Sequence, residues 1–74
     1  MTPAEARALV AADDPLYRLG ACFQDATHYG FGSDAPPGLC GGSYPLVDRA
    51  TAEVTWLDNL DGVDRLGRMG PVRG

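Results

Sequence analysis

The sequence predicts an α+β domain in which an N-terminal helix packs on a small antiparallel sheet of three or four strands, followed by a short C-terminal helix. Three observations predict this fold: a capped amphipathic segment at the start, β-favouring residues separated by turn formers in the middle, and apolar residues at helical spacing near the end. The chain has 74 residues, of which 45% are hydrophobic. This length supports one domain over residues 1–74 with a single small core.

The first helix is predicted over residues 3–12. Thr2 can cap it, proline suits its first position, and Glu5 stands three residues after Thr2, which completes a capping box. Apolar side chains then recur at i, i+3 and i+4 and form one stripe. Pro15 bars continuation of the helix. We expect a second, short helical turn after it that ends at Gly20.

Two strands are predicted over Ala21–Gln24 and Thr27–Gly32, joined by a turn at residues 25–26. Both segments mix aromatic and β-favouring residues with turn formers. Gly30 and Gly32 weaken the second strand, and a bulge or an overlying side chain would account for them.

A long loop and a β-hairpin follow. Residues 34–43 contain two prolines and three glycines and predict the longest loop. The hairpin strands are predicted over Tyr44–Asp48 and Glu53–Leu57, around a four-residue loop. A loop of this length built on a type I turn commonly puts its last residue, here Ala52, in the left-handed region that glycine occupies without penalty. We therefore expect alanine to cost on the order of 1 kcal/mol at this position.

A short, fraying helix is predicted from about Asn59 to Met69. Asp58 or Asn59 can cap its start, internal glycines weaken it, and Pro71 is expected to end it. Its apolar residues recur three apart: Leu60, Val63 and Leu66.

The composition favours a protein partner over nucleic acid. The net charge of −4 arises from ten acidic residues and six arginines, with no lysine. An acidic domain without a clustered basic face repels phosphate backbones, whereas a basic protein partner is electrostatically favoured. The arginine usage, together with abundant alanine and glycine, indicates a GC-rich bacterial or phage genome.

The cysteine content and the hydropathy pattern indicate a cytoplasmic protein. Cys22 and Cys40 are too few for a disulfide scaffold, and the N-terminus lacks the basic and apolar regions typical of a signal peptide. No stretch approaches the roughly 20 apolar residues that span a bilayer. We expect reduced thiols that pack as small apolar side chains, with a Cys22–Cys40 bridge left open as the alternative.

Catalytic and metal sites were considered and set aside. His28 is the only histidine; with Cys22, Cys40 and a carboxylate such as Asp25 it could bind zinc, and with either cysteine it could form a nucleophile pair. No C-x₂-C pair anchors a zinc site, and the chain can hardly build a substrate cleft alone. The expectation is no catalytic residue, no metal and no cofactor.

Two further ligand patterns fail on their spacing. Residues 30–35 fit a loose G-x-G-x-x-A nucleotide pattern, but two prolines follow where a helix must begin. Residues 58–62 suggest a calcium loop. Aligning Gly62 with that loop's glycine, however, puts Leu57 at the first ligand position and Arg68 at the closing glutamate position.

A protein-binding surface is the remaining candidate site. The acidic residues near the C-terminus serve either as a helix cap and solvated face or as a docking strip for a basic partner. Trp56 is expected in the core of so small a domain, but it would be an interface anchor if it were exposed beside Tyr44. The candidate partner-binding residues are therefore Tyr44, Trp56, Asp58, Asp61 and Asp64.

The segment Gly41–Leu57 resembles a region of the YrhB family, also described as immunity protein 35. There a glycine-containing loop leads into a strand ending in Val/Ile-Asp, followed by a basic residue, a short turn and Gly-Glu-Val/Ile. Ala52 replaces the usual glycine, and the upstream segment 27–34 resembles an earlier aromatic-rich strand but lacks its second bulky aromatic. The resemblance covers about half of the chain. Its matching residues are Val47, Asp48, Arg49, Thr51, Glu53 and Val54.

This resemblance implies an α+β domain that binds and neutralises a cognate toxin in a polymorphic toxin system. It supplies no catalytic residue. We therefore expect a non-enzymatic interaction domain, most concretely an immunity-type protein that occludes a basic toxin domain with acidic and aromatic surface. The alternative is a small phage or bacterial structural or regulatory protein that acts as a homo-oligomer. A dimer could bury apolar surface that remains exposed to solvent in one copy.

Overall fold

The computed structural model describes residues 1–34 and 43–72. It confirms the α+β prediction, with an N-terminal helix, an open antiparallel sheet and a short C-terminal helix. The sheet has five strands rather than three or four. Along the chain the elements are α1 (Pro3–Asp13), β1 (Leu19–Gln24), β2 (His28–Ser33), β3 (Ser43–Asp48), β4 (Val54–Asp58), α2 (Asn59–Gly67) and β5 (Gly70–Pro71).

The strand order is β4-β3-β2-β1-β5, and each neighbouring pair is antiparallel. The first four strands form a meander and β5 returns to pair with β1, so β4 and β5 are the two edges. α1 packs on one face of the sheet and α2 on the other. The core on the α1 face contains Ala6, Val10, Cys22, Tyr29, Phe31 and Val47. The core on the α2 face contains Leu46, Leu66 and Met69.

α1 begins with the predicted capping box. The Glu5 N–H donates to the Thr2 hydroxyl at 3.2 Å, and the Thr2 N–H donates to the Glu5 carboxylate at 2.9 Å. Ala6 and Val10, one turn apart, are fully buried because they face the sheet. The helix ends at Asp13, one residue later than predicted.

The helical turn expected before Gly20 is wrong. Residues 15–17 form a non-helical turn, and β1 already begins at Leu19. Two contacts explain the extended path. The Tyr17 hydroxyl donates to the carbonyl oxygen of Ser43 at 2.9 Å, and Leu19 packs against the core on the α1 face.

β2 follows the predicted turn at residues 25–26 and lies one residue later than expected at each end. The expectation of an overlying side chain is confirmed at Gly30. A Cβ at Gly30 would collide with Leu66 and would lie 3.1 Å from both the Leu46 Cδ2 and the Met69 Sδ. Glycine therefore lets α2 approach the centre of the sheet closely.

The β3–β4 hairpin matches its prediction to within one residue at each end. Ala52 has a φ of 65°, and it is the only described residue other than glycine with a positive φ. Asp48 holds the loop, because its Oδ1 accepts from the N–H groups of Ala50 and Thr51 at 2.8 and 3.0 Å. The flanking strands and the Asp48 carboxylate thus keep alanine in the left-handed region.

α2 begins directly after β4, with Asp58 as its N-cap. The Asp58 carboxylate accepts from the Asp61 N–H at 2.8 Å. The helix ends at Gly67, two residues before its predicted end. Pro71 does not end the helix but lies in the edge strand β5.

Gly62 and Leu66 are the buried residues of α2 and face the sheet. A Cβ at Gly62 would collide with the Tyr44 ring, so glycine sets how closely the helix approaches β3. Leu60 and Val63 lie away from this contact and are 80% and 55% exposed. Of the three apolar residues spaced by three, only Leu66 therefore contributes to the core.

Candidate interaction surface

The outer backbone of β4 is open, since within the described residues β4 pairs only with β3. The Asp48 N–H donates to the Glu53 carbonyl at 2.9 Å, which makes that pair a hydrogen-bonded one. Hydrogen-bonded and non-hydrogen-bonded pairs alternate along an antiparallel ladder. Thr55 therefore directs its N–H and C=O towards β3, whereas Val54 and Trp56 direct theirs away from the sheet. We call this outward row of backbone groups the β4 edge.

Pro45 shows the same alternation from the other side. It pairs with Trp56 across the β3–β4 ladder, at a non-hydrogen-bonded position, so its missing N–H costs this ladder nothing. Its nitrogen faces β2 instead. The described pairing of β2 with β3 ends at Gly30 and Leu46, just before Pro45 would have to donate a hydrogen bond.

Trp56 lies half-buried on the α1 face of β4. Its indole N–H donates to the Asp13 Oδ2 at 2.6 Å, and its ring packs edge-to-face on Tyr17 at 5.1 Å between ring centroids. Tyr44 packs against the core on the opposite face, beneath Gly62. The arrangement considered from the sequence, with Trp56 exposed beside Tyr44, is therefore wrong, because the two side chains project from opposite faces of the sheet.

Exposed aliphatic side chains flank the β4 edge on both faces. Leu16 is 91% exposed and lies in the turn between Asp13 and Tyr17, which both contact Trp56. Leu60 is 80% exposed in the first turn of α2, two residues after β4 ends. The two leucines lie on opposite faces of the sheet, so each can add apolar area to a partner that binds along the β4 edge.

Acidic side chains surround the same edge. Asp13 lies against Trp56 on the α1 face, and Asp61 is exposed in the first turn of α2. Glu53 and Asp58 stand at the two ends of β4 and are both exposed. We call these four residues the acidic rim. Asp64 is not part of it, because its carboxylate forms an ion pair with Arg68 at 2.8 Å.

Three of the six arginines have partners away from the β4 edge. Arg7 donates to the Gly20 carbonyl at 3.1 Å and lies over the Phe31 ring. Arg49 donates to the Asp25 carbonyl at 2.7 Å. Arg65 forms an ion pair with the Asp25 carboxylate at 2.9 Å. These three cations lie against β1, β2 or the turn between them, which leaves the acidic rim at the other side of the sheet.

A second polar cluster ties α2 to the β1–β2 turn. Arg65 Nη2 lies 2.9 Å from the Asp25 Oδ2 and 3.2 Å from the His28 Nδ1, and the His28 Nε2 lies 3.8 Å from the Asp48 Oδ2. Because a guanidinium only donates, the His28 Nδ1 is an acceptor in this arrangement. The cluster therefore connects α2, the β1–β2 turn and the end of β3. Its polar side chains form hydrogen bonds and ion pairs with one another.

The two carboxylates of this cluster have shifted pKa values. Burial alone would raise the pKa of Asp25. Hydrogen bonds from the N–H groups of Thr27 and His28 and from the Thr27 hydroxyl, together with the charge of Arg65, outweigh burial, so the pKa lies below its ordinary value. The pKa of Asp48 is lowered mainly by its hydrogen bonds from the backbone of its own loop.

Sequence patterns did not reveal this cluster. They suggested Asp25 as a metal ligand and His28 as a metal ligand or as the partner of a cysteine nucleophile, and they assigned Arg65 to no site. The Asp-x-Thr-His spacing does signal the local turn, since the Asp25 Oδ1 accepts from the N–H groups of Thr27 and His28 at 2.9 and 2.7 Å. His28 and Arg65 are 37 residues apart, and only the fold brings them together.

The Cys22–His28 pair cannot act as a nucleophile and base. Cys22 lies in the core on the α1 face, while His28 contacts Arg65 on the α2 face. Burial also raises the pKa of the Cys22 thiol, although the charge of Arg7 opposes this, so the reactive thiolate is disfavoured. Cys40 lies outside the described residues, as does most of the predicted loop over residues 34–43.

Comparison of the chain with protein-family models, with curated proteins and with solved structures found no match. Within residues 1–34 and 43–72, neither helix has the length and apolar character needed to cross a bilayer. The candidate site therefore stands on its geometry: an open strand edge, exposed leucines on both sides of it and an acidic rim.

Proposed function

We propose that this protein is a non-enzymatic binding domain that recognises a basic protein partner through the β4 edge and the first turn of α2. The observation that carries the proposal is the open backbone edge of β4 beside half-buried Trp56, with acidic side chains at both ends of the strand. Interfaces commonly combine an apolar centre with a polar border, and aromatic side chains supply much of their binding energy.

The most concrete form of this function is that of an immunity protein. The resemblance of Gly41–Leu57 to the YrhB family supports this form, and that segment contains the whole of β4 except Asp58. The partner would be a toxin with a basic working face, and the domain would neutralise it by covering that face. The net charge of −4 would accelerate encounter with such a partner at low salt.

Within this surface the five candidate residues take different roles. Trp56, Asp58 and Asp61 belong to the contact surface, with Trp56 near its centre and the two carboxylates on its rim. Tyr44 supports the surface from beneath α2 rather than touching the partner. Asp64 is neutralised by Arg68 and contributes little to partner affinity.

The test is co-expression with the product of the neighbouring gene. The wild-type domain is expected to restore growth of cells expressing that product and to bind it when both are purified. Leu60→Arg places a cation in the exposed first turn of α2, where it repels a basic partner, and should weaken binding by about 30-fold or more, the size expected for an interface hot spot. Ala8→Arg is the matched control, since it makes the same charge change at an exposed position of α1.

Both outcomes are decisive. If the Leu60→Arg domain binds as tightly as wild type, this surface is refuted. If the wild-type domain neither binds the product nor protects the cells, the proposed function is refuted. Binding that also fails to weaken between about 50 and 200 mM salt would contradict the charge-based part of the proposal.

The open edge also favours a second candidate, a structural or regulatory protein that acts as a homo-oligomer. An unpaired strand can pair with the same strand of another copy. Sedimentation velocity without any partner distinguishes the two candidates. A concentration-dependent doubling of mass would favour the oligomer, and a monomer at all concentrations would leave the binding domain.

A further inference from the structure

We infer that the β4 edge binds an extended, basic segment of the partner as an additional antiparallel or parallel strand. This inference rests on the proposed function and specifies its mode of recognition. Strand addition uses main-chain hydrogen bonds for affinity and alternate side chains for specificity. The β4 edge supplies both components.

The backbone of β4 is prepared for this pairing. The outward N–H and C=O groups of Val54 and Trp56 have no ladder partner in the described residues. The strand is five residues long, contains no proline, and pairs with β3 without a register shift. Val54–Asp58 contains no proline and no bulge, and its one charged residue, Asp58, stands at its end.

The side chains around the edge define what the added strand would present. On the α1 face its side chains would lie beside Val54 and Trp56, with Leu16 close by. On the α2 face they would lie beside Leu57 and Leu60. A strand that carries apolar residues can cover these groups on either face.

The acidic rim selects the charge of the added strand. Glu53 and Asp58 stand at the two ends of β4, while Asp13 and Asp61 stand on the two faces. Arginine or lysine residues in the added segment would meet carboxylates whichever way the segment ran. A second copy of this chain would instead bring another acidic rim against the first, which opposes self-pairing. The occupant that fits is therefore a segment of alternating apolar and basic residues from another protein.

A synthetic peptide that alternates valine and arginine over nine residues is the probe. The comparison peptide has the same sequence with methyl groups on alternate backbone nitrogens, which keeps its charge and apolar surface but removes the donors facing β4. We expect saturable binding of the first peptide and at least a tenfold weaker affinity for the second. Amide hydrogen exchange should slow at Val54 and Trp56 when the first peptide is bound.

The matched protein variants are Val54→Pro and Val54→Thr. Proline removes an outward donor while leaving the β3–β4 ladder intact, and threonine keeps both the donor and the β-branched shape. Val54→Pro should bind the peptide and the neighbouring-gene product at least tenfold more weakly than Val54→Thr does. If the proline variant fails to fold, the methylated peptide on wild-type protein still decides the question.

Several results would overturn the inference. These are equal affinity for both peptides, no saturable binding up to about 1 mM peptide, or slowed exchange confined to amides outside β4. If the mass of the wild-type protein doubles with concentration and Val54→Pro abolishes this doubling, the edge pairs with a second copy of the chain instead. If Leu60→Arg weakens binding of the neighbouring-gene product and Val54→Pro does not, strand addition fails while the proposed function stands. If neither variant matters, the proposed function fails too.

Discussion

The two edges of the sheet differ in what they offer to another strand. At the β5 edge, the Val72 N–H donates to the Cys22 carbonyl at 2.9 Å, so Val72 faces β1 and Pro71, its neighbour, faces outward. Proline has no N–H to present there, and β5 is only two residues long. At the β4 edge, the outward positions are occupied by Val54 and Trp56, which both carry donors.

Protection of one edge and exposure of the other thus arise from the length of the strand and from the residue at each outward position. A short strand and a proline are both ways in which proteins prevent edge-to-edge pairing. The charges follow the same division, because three arginines bind the β1–β2 side and the acidic rim surrounds β4. On the β1–β2 side these charges pair within the molecule, whereas the backbone of the β4 edge has no pairing strand among the described residues.

The largest effect should come from proline scanning of β4. Thr55→Pro removes an N–H that faces β3 and leaves a buried carbonyl unpaired, so unfolding free energy should fall by about 3 kcal/mol. Val54→Pro removes only an outward N–H and should cost about 1 kcal/mol, from lost packing alone. Urea denaturation of both variants beside wild type measures the difference.

Equal losses in the two variants would mean that the assignment of inward and outward positions is wrong. The two edges would then not differ in their outward donors in the way described, since that difference depends on the assignment. A Thr55→Val control, which keeps the N–H, separates loss of the hydrogen bond from loss of the hydroxyl.

A smaller effect should appear in the pH dependence of stability, which should differ between a substitution on the β1–β2 side and one at the acidic rim. On the β1–β2 side, the folded pKa of Asp25 lies below its ordinary value of 3.8, so its charge stabilises the fold above that pH. This stability should be lost as pH falls below 3.8 and through the folded pKa. Asp25→Asn keeps an acceptor for the turn but loses the charge facing Arg65, at a cost on the order of 1 kcal/mol at pH 7. The variant's urea midpoint should therefore fall less between pH 5 and pH 2 than that of wild type.

Asp61→Asn is the matched control at the acidic rim. Its carboxylate has no arginine partner among the described contacts, so the urea midpoint at pH 7 should fall less than it does in Asp25→Asn. Partner binding, not folding, should respond to this substitution. A loss of stability at pH 7 as large as that of Asp25→Asn would contradict the division of charges between the two sides.

Local patterns predicted the parts of this fold that depend on residues close in sequence. The capping box of α1 needs only Thr2 and Glu5, and the hairpin needs only its strands and Ala52. The helical turn before Gly20 failed because a distant contact, from Tyr17 to Ser43, decides the path of that segment. Propensity gives way where tertiary contacts are available.

The candidate surface was only partly predictable for the same reason. Acidic residues and Trp56 could be selected from the sequence, but their grouping depends on strand order and on hydrogen-bond alternation. Pairing of Trp56 with Pro45 puts the tryptophan on the face away from Tyr44, and no local pattern contains that register. The open edge itself is a property of topology, because a strand becomes an edge only when the rest of the sheet is placed.

The smallest effect concerns the loop that joins β3 to the β4 edge. Ala52→Gly relieves the left-handed strain at a φ of 65° but increases the entropy of the unfolded chain, so the net gain should be about 0.5–1 kcal/mol, or roughly 4 °C in Tm. Ala50→Gly, in the same loop but without a positive φ, should gain nothing and lose up to about 1 kcal/mol. Thermal unfolding followed by circular dichroism compares the two. Because the strained residue lies next to the edge rather than in it, Ala52→Gly should leave peptide affinity unchanged, and an altered affinity would show that the loop shapes the binding strand.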